Sequence, residues 1–238
     1  MKNIQKGFTL IELMVTIAIM AIMLAIAIPN LSEWVAKRRV AAAAEKVANM
    51  IRFGRSEAAR LNSPVYLCPV QIRTDGNPNG YCKSDNEGSG LALWADSDPY
   101  DKKYQRGIDQ SLRTVILNKV GDIRVRSQIL NINYSGKPVD SRNGANTKVL
   151  AFLPDGTIRR YDVDNNGIAG VGYPISGYVK YQFTDGQAKD KSTLERRSVI
   201  MLVSGNQVSF CDLSNTSESC KYTDFNIAKC NKYGGCQK

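Results

Sequence analysis

Three groups of residues in this sequence have types and spacings that suit chemistry. The first is Lys6-Gly7-Phe8-Thr9-Leu10-Ile11-Glu12, where a single carboxylate lies inside an otherwise apolar run from Phe8 to Ile28. An unpaired carboxylate in hydrocarbon costs roughly 3 kcal/mol or more, so Glu12 requires a partner. Cleavage after Gly7 would create one. Phe8 would then carry a cationic α-amino group one helical turn before Glu12, or facing Glu12 of a neighbouring chain. The second group is six cysteines, Cys68, Cys82, Cys211, Cys220, Cys230 and Cys236, none of them in a CxxC pair. The third is Asp162-Val163-Asp164-Asn165-Asn166-Gly167. Its oxygen ligands Asp162, Asp164 and Asn166, followed by a glycine, match the first half of a calcium loop, but the twelfth position is Tyr173 instead of a bidentate Glu. The same residues are ordinary turn formers, and the turn reading is preferred.

Catalysis is disfavoured. The chain contains no His, the commonest general base and metal ligand. Its thiols therefore lack their usual activating base. We expect no enzyme activity, no cofactor and no metal. The formal net charge of +10 suits phosphate contacts. Candidate donors are Arg124, Arg126, Arg159, Arg160, Lys189, Lys191, Arg196 and Arg197, with Tyr161, Tyr178 and Tyr181 as stacking faces. Solvated faces and subunit contacts account for the same arginines, so nucleic acid is weighed as a partner and not favoured.

The elements that carry these residues are legible from hydropathy. The apolar run from Phe8 to Ile28, as a helix, spans ~31 Å, the thickness of a bilayer core. Lys2 and Lys6 precede it, which places the N-terminus in the cytoplasm and the rest outside. No small-residue cleavage site follows, so a simple removable signal is disfavoured. Export puts the cysteines in an oxidising compartment, where an even count reads as a disulfide framework. Pro29 should kink the helix or free a carbonyl. Beyond it, Val40, Ala44, Val47, Ile51, Gly54, Ala58 and Leu61 alternate steps of four and three, a helical stripe needing cover. Glu45, Lys46, Arg52, Arg55, Glu57 and Arg60 fall off that stripe.

After Asn62-Ser63-Pro64 the period changes to that of strands. These are expected at 65–70, 91–95, 114–117, 148–153, 178–183, 199–203 and 207–211, separated by Gly/Asn/Pro/Asp turns. An α+β fold follows, with the long helix packed on an antiparallel sheet domain. The expected organisation is 1–7 as a leader, 8–29 as a transmembrane helix, 30–62 as an amphipathic helix, and 63–238 as a disulfide-stapled outer domain.

The segment Lys6 to Leu13 resembles the class III leader of type IV pilins and type II secretion pseudopilins. That resemblance implies cleavage between Gly7 and Phe8 by prepilin peptidase, N-methylation of Phe8, and pairing of Glu12 with the amino terminus of an adjacent subunit. The order of later features resembles the GspH/FimT branch of the superfamily. Those features are Cys68, Cys82, Gly90-Leu91-Ala92-Leu93-Trp94, Asp96, Leu112-Arg113, Phe152-Leu153-Pro154-Asp155-Gly156 and the hairpin ending at Cys211. Stretches 121–147 and 158–195 and the tail from 212 look like additions to that pattern. The resemblance implies a Cys68–Cys82 disulfide. Cys211–Cys220 and Cys230–Cys236 are expected on proximity alone. DNA-binding members of the family carry Gly-Arg-x-Arg in the closing hairpin, where this chain has Gly205-Asn206-Gln207-Val208-Ser209. The function expected is a minor pilin acting in pilus assembly at the tip, with other pilins as partners. It would sit first in the inner membrane and later in the pilus. The rival readings are a minor pseudopilin of type II secretion and a DNA-binding minor pilin.

Overall fold

The computed structural model describes residues 8–86, 88–98, 101–118, 124–134, 147–164, 166–187, 199–205 and 207–211. One helix, α1 (Leu10–Leu61), runs through both the apolar and the amphipathic segments. At 1.5 Å per residue it is about 78 Å long. Thr9 caps its start, and Asn62 ends it in the left-handed conformation, with φ 51°. Pro29 lies within α1 without ending it. Side chains are turned back onto carbonyls around it. Asn30 Nδ2 donates to the Ile26 carbonyl at 3.1 Å, and Ser32 Oγ donates to the Pro29 carbonyl at 2.8 Å.

The strands are β1 (Val65–Ile72), β2 (Pro78–Asn79), β3 (Gly90–Ala95), β4 (Gln110–Ile116), β5 (Val125–Ile132) and β6 (Thr147–Phe152). They continue as β7 (Ile158–Asp164), β8 (Gly167–Pro174), β9 (Tyr178–Asp185), β10 (Val199–Ser204) and β11 (Gln207–Cys211). They form two antiparallel sheets. The first has the order β4-β3-β1-β6-β7-β8 with β2 added on β1, and the second has the order β11-β10-β9-β5. All seven expected strands are present. Those not expected, β2, β5, β7 and β8, come mostly from the stretches that looked like additions. Those stretches therefore build part of the head and half of its second sheet.

The amphipathic half of α1 lies against both sheets. Val40, Val47 and Ile51 share a core with Leu67, Leu93, Leu150 and Phe152 of the first sheet and with Tyr181, Phe183 and Met201 of the second. Facing two sheets widens the buried stripe, which takes in Ala43, Ala48 and Met50 beyond the expected positions. Leu61 is only partly buried. Glu57, which falls off the apolar stripe, is nevertheless buried. Its carboxylate accepts from the Arg60 guanidinium at 2.6 Å, and this neighbour holds its pKa below the usual range.

Gly54 sits where α1 comes nearest the first sheet. A Cβ there would lie 2.8 Å from Leu93 Cδ1 and 2.9 Å from ring carbons of Phe152. Gly→Ala in an exposed helix stabilises by roughly 1 kcal/mol. Here the sign should reverse, with Gly54→Ala costing about 1–3 kcal/mol through overpacking. Urea titration of the two proteins would check it; equal or higher stability of the variant would refute this reading of the contact.

The central strands of the first sheet, β1, β3 and β6, are buried on both faces. Tyr66, Cys68, Cys82, Trp94, Val149, Ala151, Tyr161 and Val163 form a second core on the face away from α1. Tyr81 and Tyr104, on the segments that cross that face, cover it.

Candidate functional site

The start of α1 carries the residues on which assembly would depend. Gly7 lies outside the described residues; Phe8 and Glu12 lie within them. The helix opens with a capping box. Glu12 Oε2 accepts from Thr9 N and from Thr9 Oγ1, both at 3.2 Å, and Thr9 Oγ1 accepts from Glu12 N at 3.3 Å. Two orphan donors at the helix start are thus satisfied reciprocally. The carboxylate that hydropathy singled out as unpaired has a local partner in the isolated chain, one that the Thr-x-x-Glu spacing encodes.

From Phe8 to Val35 the chain contributes nothing to the head's core. Phe8, Leu10, Ile11, Ile22, Ile26, Leu31 and Trp34 are all exposed, and the most apolar window has a mean hydropathy of 2.6 with none of it buried. An apolar helix this long and unpartnered is a membrane anchor. At its base Arg39 reaches the buried carboxylate of Asp185 on β9 at 3.6 Å, tying the neck of the helix to the second sheet.

Cys68 and Cys82 form a disulfide that binds β1 to the hairpin carrying β2. Cys211 is also disulfide-bonded. Cys220, Cys230 and Cys236 lie outside the described residues.

The calcium and nucleic-acid candidates resolve into sheet structure. Asp162 and Asp164 belong to β7, and the supposed loop is the β7–β8 hairpin, with Tyr173 paired to Arg160 across the ladder. Asp164 Oδ1 accepts from Asn166 N at 2.6 Å and from Gly167 N at 3.0 Å, which is turn chemistry. Burial raises the Asp162 pKa, opposed by nearby Arg160. Among the described residues no group of three or more Cys, Asp or Glu is placed to hold a metal ion.

Tyr161 and Tyr181 are core residues and offer no stacking face, because both sheets are covered on the sides they occupy. Arg160 is buried as well. Arg159 is exposed on the first sheet, while Arg124 and Arg126 lie at the start of β5 in the second. Lys189, Lys191, Arg196 and Arg197 lie outside the described residues.

Two charged features of the outer face, the burial of Asp96 and a basic cleft, were not foreseen from the sequence. Asp96 follows β3 and is fully buried. Its Oδ1 accepts from Asp98 N at 3.1 Å, and its Oδ2 has no hydrogen-bond partner. Burial pushes its carboxyl up to about 7, with repulsion from Asp109, Asp101 and Asp98 adding to the effect. Asp109 fastens the same segment, accepting from Ser97 N at 3.0 Å and Gln105 N at 2.7 Å.

The folded chain therefore holds a proton on Asp96 that the unfolded chain releases near pH ~4. Stability should fall as pH rises from about 4 to about 7 and level off above that. Asp96→Asn is expected to remove this slope and to raise the thermal midpoint at pH 8 relative to the parent. Comparing variant with parent at each pH cancels Lys180, whose ammonium burial lowers to about 8. Parallel pH profiles for the two proteins would overturn the assignment.

The second feature is a basic cleft of about 690 Å³ on the same face. Arg73, Lys83, Lys102, Lys103 and Arg106 line it, with Tyr81 and Tyr104. No sequence window announces it, because its residues come from the disulfide hairpin, the segment before β4 and the β7–β8 turn.

A single helix, apolar and then amphipathic, with a capped Glu12 at its start and a β-sheet head on its second half, defines a membrane-anchored pilin-type subunit. The prokaryotic N-terminal methylation motif matches residues 2–28. The type II transport protein GspH family matches residues 43–170, more than half of the chain. This chain belongs to the GspH family. It is also similar to the type IV major fimbrial protein FimA of Dichelobacter nodosus, being 35% identical over 91 residues, which is 38% of this chain and 49% of that protein. Another FimA from that organism is 55% identical over 40 residues, 17% of this chain and 26% of the relative. These matches span half or less of the relatives' length. No solved structure matches the chain.

Proposed function

We propose that this chain is a minor pilin of a type IV pilus, acting in assembly and initiation at the pilus tip. One observation supports it above the others: the apolar half of α1 is exposed along its whole length, on a helix whose other half is committed to its own head. Such a helix has two surroundings in which its surface is dry, a bilayer and a bundle of like helices. Transfer from the first to the second is assembly.

In this reading prepilin peptidase cuts between Gly7 and Phe8, and Phe8 is N-methylated. The N-terminus faces the cytoplasm and the head stands outside the inner membrane. Glu12 then exchanges its bonds to Thr9 for the cationic amine of a neighbouring subunit, another minor pilin or a major one. The ammonium–carboxylate pair is charge-assisted, and in hydrocarbon it cannot be replaced by water.

Mass spectrometry of the protein purified from its own cells tests the processing step. N-methylphenylalanine at position 8 is the expected N-terminus. An intact Met1, or a cut near Pro29, would overturn the pilin reading.

The match to the GspH family favours one second reading, a minor pseudopilin of type II secretion. A deletion strain separates the two. Loss of surface pili with secretion intact supports the pilus, and the reverse assigns the chain to secretion. A DNA-receptor role draws little support, since the closing hairpin has no arginine and two of the three proposed stacking tyrosines are buried.

A further inference from the structure

The cleft beside the Cys68–Cys82 disulfide has a composition that assembly does not use. Five cationic side chains line it and no carboxylate does. Lys102 is held in place, donating to the Gly170 carbonyl at 3.1 Å and lying 5.4 Å from the Tyr161 ring. Arg73 leans on Asp75 at 3.8 Å. Lys83, Lys103 and Arg106 are exposed and take part in no ion pair among the described residues. Three cationic heads thus stand around a concave surface that no carboxylate lines, which raises the local concentration of anions.

The floor of the cleft is aromatic and rigid. Tyr81 stacks on Tyr104 with ring centroids 3.9 Å apart and planes 19° apart. Tyr104 abuts Trp94 edge-on at 5.7 Å, and Trp94 packs on Tyr66 at 5.0 Å. The column runs from the core of the first sheet to the cleft, with Tyr81 at its outer end. Around it lie the amides of Asn77, Asn79 and Asn166, with the Asn79 oxygen accepting from Gly80 N at 2.9 Å, and the Ser111 hydroxyl, 3.3 Å from the Tyr81 hydroxyl.

A flat apolar ring, neutral hydrogen-bonding groups and free cations together match the three chemical aspects of an acidic sugar: its C–H face, its hydroxyls and its carboxylate or sulfate. One terminal ring fits a glycan better than a single-stranded nucleic acid, which uses a succession of stacking platforms. The cleft is on the face opposite α1, so helix packing in a filament leaves it open to the surroundings.

From this juxtaposition we infer that the cleft binds an anionic glycan, through Lys83, Lys103, Arg106 and Tyr81. Ligand and function in assembly are separate: the cleft can bind whether or not the chain is incorporated into a pilus.

The test uses the full-length chain in non-ionic detergent, titrated with a fluorescent hexagalacturonate and a heparin-derived hexasaccharide. At least one should bind, more weakly as salt rises, and a neutral galactose hexamer should not. Lys103→Glu with Arg106→Glu, both exposed side chains, should weaken binding by at least about tenfold. Tyr81→Ala should weaken it as well, with the circular dichroism spectrum unchanged. Failure of both acidic hexamers to bind, or equal binding by the charge-reversed variant, would overturn the proposal. So would tighter binding of a single-stranded DNA 12-mer that depends on the same residues, since that would make the cleft a nucleic-acid site.

Discussion

Trp94→Ala is expected to lower the stability of the head by about 3–5 kcal/mol, the cost of truncating a fully buried large aromatic. Trp94 has no exposed surface. It is packed between Tyr66 and Tyr104, and its Nε1 donates to Cys82 Sγ at 3.3 Å. Nothing can close the resulting cavity cheaply, because one wall is β1, paired on both sides, and another is the disulfide hairpin. A domain of ordinary stability, about 5–15 kcal/mol, would survive the change only marginally. Chemical denaturation followed by circular dichroism measures it, and Trp94→Phe should recover part of the loss. A cost under about 1 kcal/mol for the alanine variant would mean that the outer face of the first sheet is a cover and not a core.

That outer core shows where sequence reading stops. The helix stripe from Val40 to Ala58 was legible because one face of a 3.6-residue period was apolar and the other charged. Trp94 was legible as part of a motif, but a second core on the far side of the sheet was not. In β1 and β3 nearly every position is apolar, which is compatible with a strand covered on both faces and says nothing about what covers it. The cover comes from Tyr81 and Tyr104, which lie in polar, Gly- and Asp-rich segments that read as turns.

The unexpected strands have a similar cause. In β7 the sequence Ile-Arg-Arg-Tyr-Asp-Val-Asp puts Arg160 and Asp162 at partly or wholly buried positions, so the apolar alternation is broken, and the pairing with β8 shifts register between the same two residues. β8 holds three glycines in eight residues, which lowers its strand signal. Glu12 shows the opposite limit. Hydropathy alone singled it out as a carboxylate in an apolar run, whereas its bonds to Thr9 follow from a local capping rule that the membrane argument passes over.

Replacing both Cys68 and Cys82 by alanine should cost about 3 kcal/mol, mainly by freeing the unfolded chain from a closed loop of this length. The sequence separation is 14 residues. For a domain of this size that corresponds to a fall in thermal midpoint of roughly 6–12 °C. The double variant is a cleaner comparison than reduction of the parent, because Cys211 is also disulfide-bonded and reductant would break that link too. The loss should be local before it is global. Cys82 is held at φ 54° and its N–H donates to the Pro69 carbonyl at 2.9 Å, so the hairpin depends on this anchor for its path across the sheet. Trypsin should therefore cut the variant after Arg73 or Lys83 under conditions in which the parent stays whole, because proteolysis follows local opening. The basic cleft should be lost with the hairpin, since Arg73, Tyr81 and Lys83 all ride on it. Packing of α1 on Leu93 and Phe152 involves the other face of the sheet and should persist, leaving the helical circular dichroism signal intact. If the variant melts within about 2 °C of the parent, the disulfide does not hold the outer layer, and the covering segments must be fixed by their aromatic contacts alone.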